Sequence, residues 1–329
     1  MALANDTINK FNPLVTVIVI TYNSEQYVIE TLESIKFQTY LNIELIISDD
    51  ASTDNTLEIC QVWIDNNKER FVQAELITTS VNTGIPANCN RGLYKSKGSW
   101  IKFIAGDDIL IKTCIDSFVN YSKKAGPAVK CIFSKLQLFA DEFVNENLGE
   151  IIPKVDNHVF YSQKSTAKQQ YKLLLLFDRF IPGPTSFYKK SLLIELGGFM
   201  EKYKLLEDYP MYLRTTESGV KIHFLDKITV FYRKHPNSAL SQDLDSKVIS
   251  RVGFYLTDFF KEYVYPRANF LGKINIIWLL MFQKIVLILG NKGTVAKKII
   301  YLGKMTKPGN IIKIPNLFRK LIFPDYYKS

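Results

Sequence analysis

An unbroken run of β-branched residues, VTVIVI at 15–20, is the feature that most constrains the fold of this chain. A continuous apolar run without polar alternation is typical of a strand that is buried on both faces of a parallel sheet. A second run of this kind, IELIIS, follows at 43–48, and further strands are predicted near 74–79 and at 100–105. Helical patterns separate these strands. Such alternation predicts βαβ units and an α/β fold.

Polar residues directly follow three of the predicted strands. They are Thr21–Asn23, Asp49–Asp50 and Asp107–Asp108. Ligands bind beyond the carboxyl ends of the strands in sheets of this kind, so we expect the three segments to meet at one rim. The sequence contains neither a GxGxxG loop after the first strand nor a GxxxxGK[ST] loop. A nucleotide would therefore be held by something other than a glycine-rich cradle.

Two adjacent carboxylates end the segment FIAGDD at 103–108. Like charges side by side are unfavourable unless a cation lies close to them. A pair of aspartates at a strand end suits Mg²⁺ or Mn²⁺ bound together with a diphosphate. The alternative is that Asp107 and Asp108 only cap the next helix, whose dipole favours acids. Asp49–Asp50 are open to the same alternative, because DDASTDNT also suits a turn and a helix start near Ser52 or Asp54.

Positive charge is concentrated in the last quarter of the chain. The 329 residues carry a net charge of +10, of which residues 250–329 contribute +11 and residues 1–249 contribute −1. Within the basic part, residues 273–290 (KINIIWLLMFQKIVLILG) are nearly all apolar but interrupted, and short of the roughly 20 residues of a membrane span. We expect either an interfacial anchor on anionic lipid or a buried helix that covers the domain or a dimer interface. Nucleic acid is not an expected partner, because no binding motif accompanies the charge.

The four cysteines are scattered without CxxC spacing. This arrangement indicates neither a disulfide framework nor a zinc site, and it is typical of a reduced, cytoplasmic protein. The first residues, MALANDTINKFNP, lack the apolar region of a secretory signal.

Four stretches of the chain share a pattern with a known family. They read VTVIVITYNSEQYVIETLESIKFQTYLNIELIISDDASTDNT, NTGIPANCNRGLYKSKGSWIKFIAGDD, GPTSFYKKSLLIELGGF and LLEDYPMYLR. Together they resemble the family 2 glycosyltransferases of the GT-A fold, continuously over about residues 14–110 and over roughly 14–240 in all.

The resemblance implies a Rossmann-like nucleotide-diphospho-sugar transferase fold, with a mostly parallel central sheet flanked by helices and a helical C-terminal extension. It also implies three regions. These are an N-terminal extension (1–12), a GT-A catalytic domain (13–245) and a basic, apolar C-terminal helical region (246–329). The catalytic domain would have a donor half to about residue 125 and an acceptor half from about residue 126.

The resemblance also assigns a donor site. Asp107 would face the donor ribose and Asp108 would bind Mn²⁺ or Mg²⁺, while Thr21 and Tyr22 line the base and Asp50 accepts a hydrogen bond from its imide edge. A carboxylate in that role suits uracil or thymine, which favours a UDP- or dTDP-sugar. Further donor-site residues implied by the match are Asn23, Glu25 and Asn88.

Two positions depart from the family pattern. Ala105 stands where the family often has aspartate, although both carboxylates of the pair remain. Cys89 stands where a family arginine helps to bind the nucleotide, with Arg91 two residues later. Arg91 is a candidate substitute for that arginine; the alternative is a solvated helix residue.

The pair Glu207–Asp208 resembles the family's general-base motif. Inverting transfer is a single displacement, so a base must take the proton of the acceptor hydroxyl. The resemblance assigns this role to Asp208, with Glu207 in support. It also places His235 near the metal or diphosphate, and the alternative for that residue is a structural histidine.

The function implied is inverting transfer of a sugar from a nucleotide-sugar to a saccharide acceptor. A lipid-linked glycan in surface-polysaccharide or O-antigen assembly, at the cytoplasmic face of the inner membrane, fits the basic tail. The alternatives are a sugar-phosphate nucleotidyltransferase and a non-catalytic sugar-nucleotide-binding module. The donor sugar, the acceptor, the linkage and the oligomeric state, including a homodimer, are left open by the sequence.

Overall fold

The structure is a computed structural model that describes residues 12–154, 159–176, 181–236, 238, 247–306 and 308. All but the last residue of the predicted N-terminal extension (1–12) lies outside this part of the chain.

A mixed sheet of nine strands organises the described residues. Its strands are β1 (Val15–Thr21), β2 (Ile43–Asp49), β3 (Gln73–Ile77), β4 (Trp100–Ala105), β5 (Ile109–Leu110), β6 (Cys131–Ala140), β7 (Leu148–Ile152), β8 (Phe187–Lys189) and β9 (Ile222–Lys234). The strand order is β3-β2-β1-β4-β8-β6-β9-β5, and β7 pairs with β6. The long pairings are parallel, and the short pairings of β5, β7 and β8 are antiparallel.

Helices follow the strands and cover both faces of the sheet. They are α1 (Val28–Lys36), α2 (Thr56–Asn67), α3 (Ile85–Lys95), α4 (Cys114–Ala125), α5 (Ala167–Leu175), α6 (Lys190–Glu195), α7 (Asp208–Glu217), α8 (Arg251–Phe259), α9 (Tyr265–Arg267), α10 (Phe270–Ile288) and α11 (Gly293–Thr306). The four predicted strands of the first third and the helices between them are confirmed. The predicted α/β architecture with a helical C-terminal extension is therefore confirmed as well.

The apolar strands are buried for the reason that their sequences predict. Alternate residues of β1 enter two different apolar clusters, with Ile18 on one face of the sheet and Val17 and Val19 on the other. Each fully buried side chain of this size contributes about 1.5–3 kcal/mol relative to exposure. The four cysteines are free and buried.

One element differs from the prediction. The pattern VKIHFLDKITVFYRKH at 220–235 predicts a pair of strands, but Ile222–Lys234 is a single strand that runs parallel to β6. The pairing moves from Phe133↔Phe224 to Lys135↔Ile228, so the polar residues Asp226 and Lys227 are absorbed in a bulge. The polar pair reads as a turn in the sequence, but a bulge lets the ladder continue past it.

The C-terminal region contributes to the core before it becomes exposed. Phe259, Phe260 and Val264, in α8 and the π-helical turn that follows it, are buried in the same apolar cluster as Tyr209 and Tyr212 of α7. Helices α10 and α11 pack against each other, and Gly303 lies so close to Phe282 that a Cβ atom would be 2.5 Å from its ring. The tail is therefore partly a wall of the domain and partly an exposed helical pair.

Helix α10 has 19 residues and is long and apolar enough, by length and composition alone, to cross a membrane. The helix begins three residues before the apolar run 273–290 and ends two residues before the end of that run. Only 22% of its apolar window is buried.

Candidate active site

The three polar segments meet at the carboxyl edge of the sheet, as their spacing predicts. Thr21 lies opposite Asp49 in the parallel register of β1 and β2. The amide of Asp50 donates to the Thr21 carbonyl (3.0 Å), and the amide of Gly106 donates to the Ile20 carbonyl (3.0 Å). A Cβ atom on Gly106 would lie 2.9 Å from Thr21 Cγ2, so the approach of the two loops requires glycine here.

A cavity of about 460 Å³ opens at this edge and contains both acidic pairs of the sequence analysis. Asp107 and Asp108, which follow β4, line this cavity, and so do Asp208, the first residue of α7, and Glu207, the residue before it. The remaining walls are largely apolar and aromatic, and include Ile20, Phe103, Leu174, Tyr209, Tyr232 and Leu256. The fold therefore brings together two pairs of carboxylates that are about 100 residues apart in the chain.

Asp108 is a fully buried carboxylate with one unused oxygen. Its side chain has no exposed surface. Oδ1 accepts a hydrogen bond from the Arg233 amide (3.0 Å), whereas Oδ2 has no hydrogen-bond partner within the described part of the chain. Burial, and then the neighbouring charge of Asp107, raises the pKa of Asp108 well above its usual range. A carboxylate in this state gains from a cation that supplies the missing partner.

The donor set around Asp108 fits a divalent cation that also takes ligands from a substrate. Among the residues that the structure describes, no three His, Cys, Asp or Glu side chains are grouped to hold a metal ion. Mg²⁺ commonly binds in this way, through one or two carboxylates together with substrate phosphates. Asp108, with its unpartnered Oδ2, is the residue that would hold such an ion, and His235 lies beside the pair, with Nε2 3.0 Å from Asp107 Oδ2.

Arg233 holds this acidic pair in place, a role that the sequence analysis missed. Its Nε donates to the main-chain carbonyl of Asp107 (3.0 Å), and its Nη2 pairs with Glu30 Oε2 (2.9 Å). The guanidinium lies between two rings, 4.5 Å from the centre of Tyr27 and 4.2 Å from that of Phe143. The only sequence signal for this residue was its place in YRKHPN, two residues before His235.

Glu207 and Asp208 begin helix α7. Asp208 is its first residue, and its Oδ1 accepts a hydrogen bond from the Tyr209 amide (2.6 Å). Burial raises the pKa of Asp208 to about 6. Burial, and then the charge of Asp208, raises the pKa of Glu207 to about 8. The two carboxyl groups interact, so these pKa values belong to the pair, and near neutral pH the helix start favours one charged and one protonated carboxyl.

Two predicted donor-site residues join the loops after β1 and β2. Asn23 Oδ1 accepts from the Thr53 amide (2.8 Å), and Glu25 Oε2 accepts from the Asn55 amide (3.0 Å). Ser52 Oγ in turn accepts from the Asn23 amide (2.8 Å). Helix α2 begins at Thr56, near the predicted start, and Asp54 accepts both from the Thr56 amide (3.0 Å) and from the Glu25 amide of the neighbouring loop (3.1 Å). Contact of Asn23 and Glu25 with a donor stays a prediction.

Thr21 and Tyr22 differ in their exposure at this rim. The Thr21 hydroxyl is buried and donates to Asp49 Oδ2 (2.8 Å), whereas Tyr22 is 50% exposed. Tyr22 is thus the more accessible of the two residues predicted to line a base.

Arg91 is bound to Asp50, so its alternative interpretation as a solvated helix residue is wrong. Its Nη2 lies 3.0 Å from Asp50 Oδ1, and the side chains are 22% and 4% exposed. Nη1 also donates to Asn88 Oδ1 (2.8 Å). Asp50 further accepts from the amides of Thr83 (3.0 Å) and Gly84 (2.7 Å). These contacts engage both carboxylate oxygens of Asp50 in holding the turn before α3. Recognition of a base by Asp50 stays a prediction.

Comparison with known proteins follows this geometry. The model of the glycosyl transferase family 2 matches residues 16–197, which is more than half of the chain. An uncharacterized glycosyltransferase of Haemophilus influenzae is 37% identical over 109 residues, covering 33% of this chain and 42% of the relative. The aligned part thus spans less than half of that relative's length.

Two further likenesses cover more of the chain. The Escherichia coli protein named UDP-Glc:alpha-D-GlcNAc-diphosphoundecaprenol beta-1,3-glucosyltransferase WfaP is 26% identical over 226 residues, 68% of this chain and 79% of that protein. The crystal structure of S. aureus TarS 1-349 in complex with UDP-GlcNAc has a TM-score of 0.55 at 19% identity, covering 95% of this chain and 80% of that one. This likeness confirms the predicted GT-A type of fold. With its matched segment, its fold and its paired acids at the sheet edge, the chain belongs to the glycosyl transferase family 2.

Proposed function

We propose that this chain is an inverting glycosyltransferase that moves a sugar from a UDP-sugar to a saccharide acceptor. The observation that carries the proposal is the cavity in which a metal-type pair, Asp107–Asp108, and a base-type pair, Glu207–Asp208, face the same space. Neither pair alone would support more than a cation site or a helix start.

The reaction requires one displacement at the anomeric carbon. The acceptor oxygen forms the new bond to that carbon, the bond to the diphosphate oxygen breaks, and Asp208 takes the acceptor proton. A divalent cation, when bound, supplies charge stabilisation for the departing diphosphate. Asp108 would hold it, with Asp107 toward the donor ribose, and Arg233 keeps both in register through the Asp107 carbonyl and the Asp108 carboxylate.

Uridine diphosphate is the nucleotide that the likenesses favour. The printed name of the Escherichia coli relative gives UDP-Glc as its donor, and the S. aureus structure contains UDP-GlcNAc. A dTDP-sugar is the second candidate, since thymine has the same imide edge as uracil.

A lipid-linked acceptor fits the chemistry of the walls. The part of the cavity near Asp208 is lined by apolar side chains, among them Leu174, Ile181 and Leu206. The Escherichia coli relative is named for a diphosphoundecaprenol-linked acceptor. Assembly of a surface polysaccharide on such an acceptor at the cytoplasmic face of the inner membrane is the setting we propose.

The two alternative functions have less support. A sugar-phosphate nucleotidyltransferase would need a glycine-rich loop after β1, and TYNSEQY is not such a loop. A non-catalytic sugar-nucleotide module would have no use for a carboxylate pair on α7 with raised pKa values.

The proposal is tested by a donor panel. With Mn²⁺ or Mg²⁺ present, we expect a UDP-sugar to raise the melting temperature and to be hydrolysed slowly to UDP and free sugar, because water can replace the acceptor. Thermal shift and release of the corresponding nucleoside diphosphate are measured for UDP-, dTDP- and GDP-sugars, with chelator as the control. Stabilisation by GDP-sugars alone would correct the donor, and no response to any nucleotide-sugar would contradict the proposal.

Membrane contact is proposed for the helical pair α10–α11. Its surface carries exposed apolar side chains, including Ile288, Val295 and Tyr301. Five exposed lysines lie on the same two helices or in the connection between them: Lys284, Lys292, Lys297, Lys298 and Lys304. Residues 263–306 contain no Asp or Glu. An apolar surface ringed by cations is suited to an anionic leaflet, where each lysine contributes about 1 kcal/mol.

We expect the full chain to sediment with phosphatidylglycerol vesicles and to be released by salt. Ile288→Asp should weaken this binding, since Ile288 is 75% exposed on α10. Leu41→Asp is the matched control, because Leu41 is 73% exposed but lies between α1 and β2. Binding that is indifferent to salt and to Ile288→Asp would show that the pair does not meet lipid.

A further inference from the structure

Lys102 is a cation buried in the middle of β4, outside the cavity. Its side chain has no exposed surface, and its Nζ lies 5.7 Å from the centre of the Phe118 ring. Among the described residues, no carboxylate lies within ion-pair distance of this ammonium. Burying such a charge costs several kcal/mol, and a methionine of similar length would avoid the cost. The contacts that Lys102 makes should therefore matter for something other than stability.

The ammonium donates to main-chain carbonyls in one segment, Pro182–Ser186, which we call the wall segment. Nζ contacts the Pro184 carbonyl, and the Ser186 carbonyl lies 3.4 Å away. The segment contains a 3₁₀ turn (Gly183–Thr185), and Pro182, Gly183 and Pro184 line the cavity. Lys102 thus holds the wall segment from behind.

The wall segment lies beside the carboxylates at the start of α7. A Cβ atom on Gly183 would lie 3.4 Å from both Cβ and Oδ2 of Asp208, and 3.5 Å from Glu207 Oε1. The Ser186 and Tyr212 hydroxyl oxygens, both buried, are 2.6 Å apart. Tyr212 lies one helical turn after Asp208, on the same side of α7.

These contacts form one connection between the two acidic pairs. Strand β4 ends at Ala105, two residues before Asp107, and Lys102 on that strand holds the wall segment, which lies beside Asp208. We propose that Lys102 is a positioning residue that fixes the distance between the donor-side carboxylates and Asp208. The inference rests on the proposed function, in which Asp208 is the base. A misplacement of about 1 Å between reacting groups can cost a reaction roughly 100-fold.

Lys102→Met is the test. UDP release from UDP-glucose or UDP-GlcNAc, whichever the parent hydrolyses, should fall about 10- to 100-fold in kcat. Mn²⁺-dependent binding of UDP should stay within about threefold, and the melting temperature should be unchanged or higher, since an isolated buried charge is removed. Lys190→Met is the matched control, because the Lys190 ammonium also donates to a main-chain carbonyl, that of Ser96, away from the cavity. It should keep the parental kcat.

The outcomes separate the possible roles of Lys102. A parental kcat in Lys102→Met overturns the inference. A parallel loss of UDP binding also overturns it, because Lys102 would then act through Asp108 and not through the wall segment. If Lys102→Met does not fold, Ser186→Ala decides: a lower kcat with parental UDP binding supports the inference, and an unchanged kcat overturns it.

Asp208→Asn, measured beside these variants, distinguishes a failure of the inference from a failure of the proposed function. If Asp208→Asn loses kcat while Lys102→Met and Ser186→Ala keep it, only the positioning role is wrong. If Asp208→Asn keeps kcat, the base assignment itself is wrong, and the positioning role falls with it.

Discussion

Replacing Asp108 with alanine is expected to weaken Mn²⁺-dependent UDP binding by at least about 100-fold while leaving the protein folded. The reason is the unpartnered Oδ2 of this buried carboxylate, which is the atom best placed to meet a cation. A cation at a diphosphate supplies several kcal/mol, and each 1.4 kcal/mol is about tenfold in affinity. Calorimetric titration of UDP with and without Mn²⁺ measures the effect.

The fold should survive this substitution because Asp108 contributes little packing. The variant loses one hydrogen bond, from the Arg233 amide to Oδ1, which is a change of about 1 kcal/mol. It also loses a buried like-charge neighbour of Asp107, which offsets part of that loss. Asp226→Ala is the matched control, since Asp226 is an exposed aspartate that pairs with Lys135 at the β9 bulge. Parental Mn²⁺-dependent binding in Asp108→Ala would move the metal site elsewhere.

The sequence predicted the donor half of this fold because its signals are local. Unbroken apolar runs specify buried parallel strands, and the carboxyl ends of parallel strands must share an edge. Convergence of Thr21, Asp50 and Asp107 followed from these two rules alone. Asp208 was reached differently, through the resemblance, since nothing in its local sequence indicates that α7 starts at the same cavity.

What the sequence could not predict depends on contacts between distant segments. Arg233 lies beside Asp107 because β9 runs parallel to β6 and ends at the rim. The two rings that flank the Arg233 guanidinium, Tyr27 and Phe143, come from distant parts of the chain. The same is true of Arg91. Its position on α3 suggests a solvated residue in the sequence, but the fold places its guanidinium against Asp50. Burial of a charged residue is a tertiary property, and periodicity alone does not report it.

The C-terminal region shows a similar limit. Composition gave two readings for it, a lipid anchor and a buried helix, and the described structure has a buried part followed by an exposed one. Residues 251–268 pack against α7, whereas α10 and α11 carry the exposed apolar and basic side chains. Tyr203 and Tyr209 form edge contacts with Phe259 at this junction. A helix that is apolar all round does not reveal from its sequence which part of it meets protein.

Asp208→Asn is expected to lower kcat for donor hydrolysis or sugar transfer by about 10²–10⁴-fold, which is the usual contribution of a positioned base. The amide keeps the shape of the side chain and can still accept from the Tyr209 amide, so α7 should begin as before. The loss should appear in kcat rather than in the affinity for donor and Mn²⁺, since proton removal stabilises only the transition state.

The parental pH profile gives a second measurement of the same assignment. Asp208 acts as a base only when it is ionised, and burial raises its pKa to about 6. The rate should therefore rise with pH through about 6, above the usual range of an aspartate, and Asp208→Asn should lose this limb. Glu207→Gln is the matched control: in the proposed roles Glu207 is the protonated partner and carries no charge near pH 6, so its amide should cost less kcat and leave the limb in place. If Asp208→Asn keeps a near-parental rate and Glu207→Gln loses much of it, the two roles are reversed. If Asp208→Asn loses Mn²⁺-dependent UDP binding, Asp208 belongs to the metal site instead.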